Sequence, residues 1–123
     1  LIICEMHDVV ELLVDTGTFM ELRGGFGVGN ITGLARFEGC AVGVIANNPK
    51  HIGGALDADG AMKISRFLHL FDAFDIPVLV LCDSPGFMVG VEHECEGAVR
   101  KVLCCKRFST QNSPVFRRVL EGQ

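Results

Sequence analysis

Apolar and polar positions alternate along this chain in two distinct rhythms. In "HDVVELLVD", residues 7–15, Val9, Val10, Leu12 and Leu13 recur at near-helical spacing, with Asp8 at the front as a cap. "FMEL" follows as a short strand, and "RGGFGVGN" as a flexible connection. "ITGLARFEGCAVGVIAN" reads as two strands joined at Glu38-Gly39. Leu34 and Phe37 flank that turn on one side, and Val42, Val44 and Ile45 fill the second strand. "NPKHIGGAL" is a polar, glycine-bearing loop.

The rhythm then lengthens. Ala61, Ile64, Phe67, Leu68, Phe71 and Phe74 fall three and four apart, which predicts a helix with a stripe wide enough to lie on a sheet. Asp57 and Asp59 stand at its start, suited to the cap and the positive end of the dipole; Asp75 and Pro77 end it. "PVLVLCD" is a buried strand, and "EHECEGAVRKVLCCKRF" a second helix with Cys95, Ala98, Val99 and Val102 on one face. "PVFRRVL" closes as a weak strand, displaced or frayed at an edge because Arg117 and Arg118 would point to opposite faces. Strand, strand, helix, strand, loop, helix, strand is the order of an α/β layered domain with a parallel crossover.

Composition narrows the function classes. At 123 residues the chain suffices for one domain, and 49% apolar with 21% charged residues is an ordinary globular balance. A net charge of −4 gives no nucleic-acid footprint, and no apolar run is long enough to span a bilayer. Six cysteines raise a disulfide scaffold, but Cys40 and Cys82 sit in or beside apolar strands, Cys104 and Cys105 are adjacent, and no CxxC occurs. Free, buried or partly buried thiols in a reducing compartment are expected. The opening "LIIC" and the closing "RRVLEGQ" both look cut, as in a fragment of a longer protein.

Few side-chain constellations carry chemistry. In "GGFGVGNITG" the run Gly27, Gly29, Thr32 does not complete GxGxxG, and a strand follows where a dinucleotide site needs a helix. Asp57, Asp59, Asp72 and Asp75 divide between the two ends of one helix, as capping and solvation require. His51 and His69 are isolated, His93 and Cys95 lack a second ligand pair, and no Ser-His-Asp order, nucleophile elbow or HExxH occurs. That leaves "LCDSPGFMVG", residues 81–90, where Gly86 and Gly90 bracket an apolar loop between a buried strand and a helix. Such strand ends receive ligands in α/β sheets, or Phe87 and Met88 simply plug the space above the sheet. Both readings stand on the pattern alone.

A resemblance adds to this. "GNITGLARFEGCAVGVIANNP", "GGALDADGAMKISRFLHLFDAFDIPVLVLCDSPGFMVG" and "EHECEGAVRK" together resemble the C-terminal half of carboxyltransferase β subunits of biotin-dependent acyl-CoA carboxylases, and their decarboxylase relatives. The likeness runs from about residue 6 to about residue 104, with its motifs in the family's order and spacing. It implies an α/β crotonase/ClpP-like superhelix of strand-strand-helix units, with residues 1–123 as a C-terminal carboxyltransferase domain lacking the N-terminal domain and truncated before the family's Arg-Lys-x-Tyr-Gly stretch. The implied reaction moves a carboxyl group from carboxybiotin to the α-carbon of a short acyl-CoA. Main-chain oxyanion holes can stabilise its enolate and ureido anion without a side-chain acid or base, in keeping with the absence of catalytic side-chain motifs. Pro85, Gly86 and Phe87 are the implied biotin-lining residues. A biotin carboxyl carrier, a biotin carboxylase subunit and other copies of the subunit are the implied partners, in the cytoplasm or mitochondrial matrix. The family's site forms between halves of two subunits, so this stretch alone supplies one wall and is expected to be inactive by itself. The alternatives are a truncated, catalytically incompetent remnant keeping at most a subunit-assembly surface, and a decarboxylase relative.

Overall fold

The computed structural model describes residues 5–83 together with the two strand residues at 116–117. Helix α1 (Met6–Leu13) leads into a short strand β1 (Met20–Glu21) and then a hairpin, β2 (Asn30–Phe37) and β3 (Cys40–Asn47). A 3-10 turn at Ile52–Gly54 and helix α2 (Ala58–Ala73) carry the chain across to β4 (Val78–Leu81), and β5 is Phe116–Arg117. The five strands lie in the order β1-β2-β3-β4-β5. β1, β2 and β3 pair antiparallel, whereas β3, β4 and β5 pair parallel. The expected crossover is therefore present, and among the described strands β5 lies outermost, beside β4. The expected helix over residues 92–108 lies outside the described residues.

The hairpin forms where the pattern puts it. Glu38 and Gly39 both take positive φ, +50° and +80°, giving the primed turn that suits twisted strands. The Asp15 carboxylate accepts the backbone N–H groups of Glu38 (3.2 Å) and Gly39 (2.9 Å), pinning the turn to the end of the α1 segment. From there the period-2 alternation sorts side chains between two faces. Val10 and Val14 of the α1 segment pack with Ile31, Ala35, Val42, Val44 and Leu81 on one face. Ile45 and Val78 pack with Phe67 and Phe71 of α2 on the other. Gly43 lets α2 come close: a Cβ there would sit 2.5 Å from the Phe71 ring. Helices thus cover both faces of the sheet.

Asp57 caps α2 as expected, its Oδ1 accepting the Gly60 N–H at 2.7 Å. Three expectations are corrected. Asp8 is not the cap of α1; the helix starts earlier, after Glu5, because Met6 is drawn into the core. Cys40 and Cys82 are free thiols but exposed, since each stands just outside the buried part of its strand. Phe74 is 69% exposed, because α2 ends at Ala73 before its stripe can bring that ring round.

Glu5 has a different task. Its carboxylate meets Lys50 Nζ at 2.6 Å, His7 Nδ1 at 3.2 Å and Asn48 Nδ2 at 3.1 Å, while His7 Nε2 meets Glu21 at 3.0 Å. Hydrogen bonds from Lys50 and then His7 hold the Glu5 carboxyl down at about 2. Burial alone would lower the His7 pKa, but bonds to Glu5 and Glu21 outweigh it and raise it. A neutral imidazole has only one N–H, so satisfying both carboxylates requires the imidazolium. The Glu5 contribution is present above its ordinary 4.5 and is lost as pH falls through about 2. The His7 contribution is present below 6.5 and is lost as pH rises through its raised value. His7→Gln is expected to cost about 0.5 kcal/mol in urea melts at pH 5.5, and less as pH rises through the raised His7 value. A cost that does not fall as pH rises would show that the imidazolium does not matter.

Candidate functional site at the ends of two parallel strands

β3 and β4 end side by side, Ala46 opposite Leu81. Their C-terminal ends open on the side where α2 begins, and a cavity of about 290 Å³ lies there. Ile45, Leu56, Ile64 and Val80 make its wall apolar, and Asn30 and Asn47 are its polar members. A small, mostly apolar hollow with a few placed polar groups is the usual form of a ligand site. Exposed Cys82 also lines it.

The two asparagines differ in how they are satisfied. The Asn30 main-chain carbonyl oxygen accepts from Lys63 Nζ at 2.6 Å, while its side-chain Nδ2 is buried with no hydrogen-bond partner among the described residues. Lys63 is itself fully buried between α2 and β2. Burial pushes its pKa down, against the pull of Glu21. Asn47, 8% exposed, is fully engaged. Its Oδ1 accepts the Asp83 N–H at 2.6 Å, and its Nδ2 donates to the Asp83 carbonyl and to the Gly54 carbonyl, the latter at 3.3 Å. One side chain therefore ties the loop after β3 to the main chain just after β4.

The sequence-predicted site residues Pro85, Gly86 and Phe87 lie outside the described residues; Asp83, two positions before Pro85, is within them. The four aspartates of the α2 region are not brought together: Asp57 caps, Asp59 lies in the first turn, Asp72 is exposed in the last turn, and Asp75 is exposed just beyond it. Among the described residues no group of three His, Cys, Asp or Glu could hold a metal ion. His93 and Cys95 are outside that set. No described helix is long and apolar enough to cross a membrane. Pattern reasoning missed Asn30, Asn47 and Lys63. Lys63 had a signal, because it precedes Phe67 and Phe71 at spacings of four and so shares their buried stripe. The asparagines had only their places at strand ends.

The arrangement has known counterparts. The carboxyl transferase domain family matches residues 3–120. The biotin-dependent long chain acyl-coenzyme A carboxylase beta4 subunit of Mycobacterium tuberculosis is 42% identical over 97 residues, 79% of this chain and 19% of that protein. The methylmalonyl-CoA decarboxylase subunit alpha of Veillonella parvula is also 42% identical, over 96 residues, 78% of this chain and 19% of that protein. Thus the chain spans about a fifth of the length of these relatives. Transcarboxylase 12S, a hexamer assembly crystallised with methylmalonyl-coenzyme A and methylmalonic acid, superposes with a TM-score of 0.86. That match has 31% identity and covers 94% of this chain and 22% of the other. The sheet covered by helices on both faces is accordingly the crotonase-like α/β arrangement of those proteins. Matched by the family over residues 3–120 and 42% identical over 97 residues to such a relative, the chain belongs to the carboxyl transferase domain family.

Proposed function

We propose that this chain is the biotin-facing part of the C-terminal carboxyltransferase domain of an acyl-CoA carboxylase. The observation that carries the reading is the paired end of β3 and β4 with its apolar cavity, placed where the chain enters Ser84-Pro85-Gly86-Phe87. The lining fits a group such as biotin, whose body is apolar, since the cavity is walled by aliphatic side chains. When bound, carboxybiotin supplies the carboxyl group that passes to the α-carbon of a short acyl-CoA. Pro85, Gly86 and Phe87 would hold its ring through main-chain groups, and the described residues give that loop its starting point. The chain's share of the work is to bind and orient; its partners are a biotin carboxyl carrier, a biotin carboxylase subunit and further copies of the same subunit. The free thiols Cys40 and Cys82 suit a reducing compartment, the cytoplasm or the mitochondrial matrix.

A decarboxylase using the same loop is the second reading, since the methylmalonyl-CoA decarboxylase subunit matches this chain at the same 42% identity as the carboxylase beta4 subunit. The full-length subunit carrying this sequence is expected to catalyse biotin-dependent carboxyl exchange with malonyl- or methylmalonyl-CoA. Absence of exchange, with an active relative assayed in parallel, overturns the carboxyltransferase reading. The isolated 123 residues are expected to be inactive, because they span only about a fifth of the length of the carboxylase and decarboxylase relatives.

A further inference from the structure

We infer that Asn47 is a positioning residue for the biotin side of the reaction, acting through the main chain of Asp83. The inference rests on the carboxyltransferase reading above. Backbone pairing between β3 and β4 ends at Ala46 and Leu81. Beyond that rung the Asn47 carboxamide takes over, accepting from the N–H and donating to the C=O of one residue, Asp83. It thereby imitates a further rung of a sheet at the place where the chain leaves the sheet. The third bond, to the Gly54 carbonyl, fixes the carboxamide plane from the other loop. Asp83 precedes Pro85 by two residues, a reach of about 7 Å. Asp83 is the last described residue before Pro85, Gly86 and Phe87, so the clamp fixes the point and direction from which the chain leaves the sheet.

The neighbouring Asn48 serves as the contrast. Its carboxamide goes to Glu5 and to the Lys50 N–H, on the far side of the turn from Asp83. Only an asparagine-shaped group at position 47 can both accept from and donate to Asp83. Aspartate keeps the acceptor and, while ionised, sets a carboxylate oxygen against two carbonyls; once protonated, it regains a donor.

The test uses the full-length subunit with free biotin and methylmalonyl-CoA. Asn47→Ala is expected to raise the KM for biotin about tenfold while the KM for the acyl-CoA stays within about twofold of the parent value. Asn48→Ala should leave both unchanged. The Asn47→Asp rate, relative to parent at the same pH, should recover as pH is lowered, whereas the Asn47→Ala ratio stays flat. Equal rises in both KM values, no rise in either, or a flat Asn47→Asp profile overturns the positioning role. Hydrogen exchange at the Asp83 amide reads the clamp without any activity: about tenfold faster exchange is expected in Asn47→Ala. Unchanged exchange overturns the inference even in a fully active enzyme. A parent that shows no exchange of carboxyl groups, but whose Asp83 amide is protected, sinks the functional reading and the positioning role with it, while leaving the clamp itself standing.

Discussion

Gly54→Ala is expected to destabilise the protein by about 3 kcal/mol, far more than the same change one residue earlier. Gly54 is buried at φ +83°, and a Cβ there would lie 2.5 Å from the Asp83 carbonyl oxygen and 2.7 Å from Asn47 Nδ2. The left-handed backbone costs an L-residue about 1–2 kcal/mol, and forcing a methyl group into a filled space costs about 1–3 kcal/mol more. The obstructing oxygen belongs to the main chain, so no rotamer change moves it aside. Gly53 has a similar φ of +62° but open space where its Cβ would go. Gly53→Ala should therefore cost only the backbone component, about 1 kcal/mol. Urea denaturation of the two variants separates strain from collision. Equal losses would mean that the crossing of the two loops at Gly54 is not tight.

That crossing also marks the boundary of what the chain reveals by itself. The β2–β3 hairpin was legible because its causes are local: alternating apolar residues, a glutamate-glycine pair able to take positive φ, and strands of equal length. Helix α2 was legible for the same reason, with Asp57 three residues before the amide it caps. The start of α1 was not, since the burial of Met6 outweighs the better capping residue, Asp8. Asn47 could not be found this way at all. Its partner lies 36 residues away, and no periodicity joins a strand end to the residue following a different strand. The expectation for Pro85, Gly86 and Phe87 came from family resemblance, while the clamp next to them came from the fold.

Lys63 carries the second large effect, because it is a cation in a position that its neighbours mark as core. Its side chain is fully buried, and Nζ holds the Asn30 carbonyl at 2.6 Å, joining α2 to the start of β2 beside the cavity. Lys63→Ala removes the alkyl chain as well as the bond, and the resulting void should cost about 3 kcal/mol. Lys63→Met keeps most of the volume and gives up the bond while also ending the cost of burying a charge. Its net loss should be about 1 kcal/mol. The two variants thus weigh packing against hydrogen bonding at one position. Burial lowers the Lys63 pKa in the folded protein below the ordinary 10.5. Between that lowered value and 10.5 the unfolded chain binds a proton that the folded chain does not, so this residue makes stability rise with pH across that window. The Lys63→Met variant lacks that increment, and its stability relative to the parent should fall as pH is raised from 8 towards 10.5. A difference that stays constant over the same range would mean the buried ammonium is solvated well enough to keep its ordinary pKa, and that the Lys63–Asn30 bond, rather than relief of desolvation, decides how α2 sits on the sheet.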